Sequence, residues 1–64
     1  MITIGTVAKN VKEGDHILMS DGVVRRVERI HYEGNVIALE MKRYEDKTRH
    51  FLFNGECANV IEEW

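Results

Sequence analysis

A chain of 64 residues is one small domain, with no room for a second. Its 44% hydrophobic content and net charge of -2 argue against disorder, and its single cysteine, Cys57, rules out an internal disulfide and points to a reducing compartment, the cytoplasm. "MITIGTVAKNVKEGDHI" lacks a basic start followed by an apolar run, and no apolar run nears the roughly 20 residues of a membrane span, so neither an export leader nor a membrane partner is expected.

The chain opens on Met1 and reads as a complete gene product. A domain of this size buries only about 60% of its unfolded surface, so its core is expected to be thin. Such chains usually lean on a staple or an oligomeric partner. Charge is unevenly spread. Residues 25–49 carry seven of the nine Lys and Arg against five acids, a balance of +2, and the remaining residues sum to -4. The pattern is a mildly basic centre between acidic ends.

In chain order, a first strand is expected over roughly Thr3–Val11, interrupted at Gly5. "EGD" (Glu13–Asp15) reads as a turn, with Gly14 free to take positive φ and Asp15 able to bond nearby backbone. His16–Met19 is a second strand, and "SDG" (Ser20–Gly22) is a tight hairpin signal. A third, bent strand runs Val23–Tyr32, and "EGN" (Glu33–Asn35) turns the chain. The fourth covers Val36–Tyr44, "EDK" (Glu45–Lys47) turns again, and Thr48–Phe53 is the fifth. After the "NG" turn (Asn54–Gly55), a last strand is expected near Val60–Glu62, following a single helical turn. No segment sustains a helical period and there is no proline, so the fold class is all-β. Short strands and tight turns predict a small five- to six-stranded, strongly bent antiparallel barrel, closed or nearly closed, because closure hides sheet edges.

Three-residue loops at Glu33–Asn35 and Glu45–Lys47 set a register that pairs Val27 with Met41 and Met41 with Phe51. Val27, Leu39, Met41, Phe51 and Phe53 then share the core face. In the same register Arg25, Arg43 and Arg49 form a rim row, Arg26, Lys42 and His50 stack on the opposite face, and Arg29 falls on the apolar face and has to snorkel outward. These residues make a candidate site for an anionic partner: Arg25, Arg26, Lys42, Arg43, Arg49 and His50. The competing reading is a solvated face neutralised by Glu28, Glu40, Glu45 and Asp46.

Other chemistry is weak. His16, His31, His50 and Cys57 are too far apart for the close ligand pairs of structural zinc, so no metal is expected; their plainer roles are rim histidines and a small buried thiol. Ser20 and Asp21 sit in a turn and not on a strand-to-helix elbow, no glycine-rich loop opens a helix, and so thin a barrel offers no deep pocket. No catalytic residue, cofactor or small-molecule substrate is assigned. Tyr32, Tyr44 and Trp64 are candidate contacts for a protein partner, because large aromatics anchor interfaces.

"VKEGDHILMSDGVVRRVERIHYEGN" followed by "VIALEMKRYEDKTRHFLF" resembles the small Src-homology-three-like barrels of translation proteins, such as the first domain of bacterial elongation factor P. A Gly-Asp turn, an Asp-Gly hairpin and a long bent strand carry the resemblance, over about residues 11–53. It implies a small barrel. It does not carry over the modified basic residue of that domain, because "HYEGN" has no lysine. The intein fold shares the cadence but needs a longer chain and a splice-junction nucleophile. The leading expectation is therefore a non-enzymatic interaction module that binds a larger protein, or itself, as a regulator or assembly component, of a kind often phage-encoded. The alternative is a nucleic-acid- or ribosome-associated barrel using the basic patch.

Overall fold

Turn chemistry divides the chain into strands. The computed structural model describes residues 1–64. It contains six strands: β1 (Ile2–Val7), β2 (His16–Leu18), β3 (Val24–Glu33), β4 (Val36–Arg43), β5 (Asp46–Phe53) and β6 (Cys57–Glu63). All pairings are antiparallel, and they form one sheet in the order β1-β6-β2-β3-β4-β5. The all-β class and the strand number follow the expectation. Hydrogen bonds do not close the sheet: no backbone ladder joins β1 to β5, and both remain edge strands.

The first strand is shorter than expected. After Val7 the chain makes one 3-10 turn, Ala8–Asn10, in which Val11 donates its N–H to the Ala8 carbonyl at 3.2 Å. Ala8 and Val11, three residues apart, both turn into the core. That spacing suits a helical turn and not a strand. The single helical turn of the molecule thus lies here and not before β6, where the chain is extended from Cys57 and pairs along all of β1. In β6 it is Ala58 that points inward, which leaves the Cys57 thiol exposed and corrects the expectation of a buried one. The Glu13–Asp15 turn forms as read. Gly14 has φ 92°, and the Asp15 carboxylate accepts the Lys12 N–H at 2.9 Å.

The register along β3–β4–β5 differs from the expected one in an instructive way. The β3–β4 turn has two central residues, Gly34 and Asn35, so Glu33 faces Val36. A bulge at Glu28 then absorbs one residue, and Val27 meets Met41 and Arg26 meets Lys42 as expected. No bulge rescues the next hairpin. Its turn is Tyr44–Glu45, not Glu45–Lys47, so Arg43 faces Asp46, Met41 faces Thr48 and Ile37 faces Leu52. The shift is odd, so every side chain of β5 changes face. Leu52 enters the core beside Ile37, Leu39, Met41 and Val27, while Phe51 and Phe53 stand outside, 54% and 64% exposed. Both phenylalanines were expected inside.

Ten residues are buried in all, and none of them is polar or charged. The core is as thin as the chain length requires. No helix is long and apolar enough to cross a membrane.

Candidate functional site

The outer face of β3–β4–β5 reads in rows across the strands. Arg26, Lys42 and Lys47 form the first row, with His16 of β2 beside Arg26. Arg29, Glu40 and Arg49 form the second, His31, Ala38 and Phe51 the third, and Glu33, Val36 and Phe53 the fourth. The face therefore grades from cationic at one end to aromatic at the other.

The expected cluster of six basic residues is not assembled as drawn. Arg25 faces the interior, only 12% of its side chain exposed, and bridges Asp21 at 3.2 Å and Asp46 at 3.7 Å. It ties the β2–β3 turn to the start of β5. Its Nε has no partner. Asp21 also accepts the Val23 N–H at 2.9 Å, and that bond, followed by Arg25, holds its carboxyl below the usual value of 3.8. Arg49 lies beside Glu40 and not in a row with Arg43, and His50 lies opposite Leu39 on the inner face. Arg29 is the reverse case: the Glu28 bulge puts it on the outer face, where it needs no snorkelling.

Glu40 is the hub of the second row. Its Oε2 contacts His31 Nε2 and lies 3.8 Å from Arg49. The hydrogen bond from His31 lowers the Glu40 carboxyl most, partial desolvation opposes it, and the charges of His31, Arg49 and Arg29 add to the lowering below 4.5. Arg26 has its own acid, Glu28, at 3.3 Å. Lys42 and Lys47 face each other directly, with no acid in their row.

Two of the three candidate aromatics come together. Trp64 (71% exposed) and Tyr44 (83% exposed) border one shallow groove of about 500 Å³, with His16, Arg26, Lys42 and Arg43 between them. Trp64 packs edge-on against His16, with ring centroids 5.0 Å apart, and the Arg43 guanidinium lies over Tyr44 at 5.4 Å. Tyr32 sits apart, on the opposite face beside Ile30 and the Lys9–Glu13 segment.

The sequence reading missed Phe51 and Phe53. Both lie on the outer face of β5, an open edge. The available signal was the alternation Arg49–Phe51–Phe53 against Thr48–His50–Leu52, which fits either face. Only the turn decides between them. No three His, Cys, Asp or Glu side chains converge in a way that could hold a metal ion. Neither family models, nor curated proteins, nor solved structures match this chain.

Proposed function

We propose that this chain is a non-enzymatic interaction module that docks a protein through the edge strand β5. One observation carries the reading: two phenylalanine rings, Phe51 and Phe53, stand exposed on an edge strand that no further strand pairs. Exposed aromatics are favoured anchors, and an open edge recruits a further strand. The curled sheet supports an open relative of the small Src-homology-three-like barrels, and the exposed Cys57 thiol suits a reducing cytoplasm. The test is capture by the immobilised chain after nuclease treatment, against a Phe51→Lys variant. Nuclease-resistant capture lost in the variant supports the proposal. Capture that survives Phe51→Lys but fails after nuclease contradicts it.

A second reading rests on the Trp64–Tyr44 groove. Two exposed aromatics lining one groove with Arg26, Lys42 and Arg43 are the parts of a single-strand stacking platform, although Glu28 lines the same groove and pairs with Arg26. The acidic balance of the chain, pI about 5.9, opposes it. Trp64 is the only tryptophan, so its fluorescence reports directly. Quenching by a single-stranded oligonucleotide that weakens steeply with salt supports this reading, and unchanged emission at low salt removes it.

A further inference from the structure

The edge of β5 specifies what pairs with it. Phe53 donates its N–H to Glu56 Oε1 at 2.9 Å, and its carbonyl accepts the Glu56 N–H at 3.0 Å, while Asn54 donates to Asn35 of the β3–β4 turn at 3.0 Å. Backbone groups alternate sides along a strand. The peptide groups of Phe51, Arg49 and Lys47 therefore point away from β4 into open space, and those of Phe53 are taken. The other edge, β1, is less suited. It has an irregularity between Ile2 and Thr3, and the Thr6 hydroxyl bonds the Ile4 carbonyl at 3.1 Å.

From this geometry we infer that the partner of β5 is a second copy of the chain, paired antiparallel about a two-fold axis at His50. The inference rests on the docking role of β5 proposed above. Charge decides the register. A two-fold at Arg49 sets Arg49 against its own copy, and one at Thr48 sets Lys47 against Arg49 twice; like charges directly opposite oppose both. A two-fold at Phe51 needs the peptide group of Phe53 for its second pair of bonds. With the axis at His50, Arg49 and the other copy's Phe51 exchange backbone bonds on each side, using only open groups. On the outer face each Arg49 lies opposite a Phe51 ring, a cation-over-aromatic arrangement repeated by symmetry. The interface is isologous and closes at two copies, so it gives a dimer and not a fibre. The same cations that veto the other registers protect the edge from unregulated pairing.

Sedimentation of the purified chain, with Phe51→Lys as the control, tests this. The expected mass is twice the 7.5 kDa of one chain, returning to a single chain in Phe51→Lys. A register-specific measurement accompanies it. In a Cys57→Ser background, His50→Cys places two thiols across the axis in the close, non-hydrogen-bonded position and is expected to form an intermolecular disulfide on mild oxidation, while Thr48→Cys is not. A single-chain mass at all concentrations, a dimer indifferent to Phe51→Lys, or cross-linking at Thr48→Cys and not at His50→Cys overturns the inference. A single-chain mass together with Phe51-dependent capture of another protein overturns the second copy as partner and leaves the docking role standing.

Discussion

Tyr44 holds in the β4–β5 turn the backbone position that Gly34 holds in the β3–β4 turn, with φ 55° against φ 62°. Each is the first central residue of a two-residue hairpin loop, and the second residue in both loops has negative φ. That is the pattern of the turn class that favours glycine at its first position. A tyrosine there adopts left-handed backbone at a cost of about 1–2 kcal/mol.

Tyr44→Gly is therefore expected to stabilise the fold by roughly 0.5–1 kcal/mol, after subtracting the extra freedom glycine gives the unfolded chain. Urea unfolding at unchanged slope measures it. A loss of stability would indicate that the Arg43–Tyr44 stacking outweighs the backbone strain.

Leu52 and Phe51 invert the usual ranking by size. Leu52 is buried against Ile37, and Phe51 stands on the outer face. Leu52→Ala is expected to cost about 2–4 kcal/mol, and Phe51→Ala less than about 1 kcal/mol when both chains are compared as single copies. Chemical denaturation of the two variants at low concentration checks the difference.

Lys42 lies between Arg26 and Lys47 in a row without an acid. Lys42→Glu is expected to raise stability by about 0.5 kcal/mol at low salt, because directly opposed like charges weaken a sheet. Raising the ionic strength should shrink the gain. A gain that does not respond to salt would point to packing and not to charge.

The depressed Glu40 carboxyl gives a pH signature. A carboxylate whose folded pKa lies below its unfolded value contributes stability that is present above that value and lost as pH falls through the folded one. For Glu40 the loss begins below 4.5, and for Asp21 below 3.8. Removing the principal hydrogen bond with His31→Ala should bring the Glu40 titration midpoint back toward 4.5, read by carboxyl chemical shifts. The variant should also lose less stability than the parent chain on acidification.

Strand number, most turns and three of the five residues expected in the core were legible in the sequence. Alternation around Val27, Leu39 and Met41 marked the inner face, and Gly14, Gly34 and the Asp21–Gly22 pair marked turns by their backbone freedom. The register of β5 was not legible because of one residue. Tyr44 carries no turn signal, so the loop was placed one residue too late at its start and the register moved by three. That error moved Phe51 and Phe53 from edge to core and assembled a cationic cluster that the sheet does not build. The β3–β4 pairing near Arg26 came out as expected only because the Glu28 bulge compensated for a turn one residue shorter than expected. Bulges have no reliable sequence mark, since they follow from the competition between registers.

Phe51 stands on the outer face of the open edge strand, and the docking role of β5 depends on that position. Proton–proton contacts measured by NMR test it most directly. Phe51 ring protons should show contacts to the Ala38 methyl, and Leu52 methyls should show contacts to Ile37. Contacts from the Phe51 ring to Met41 and Val27 would contradict the account.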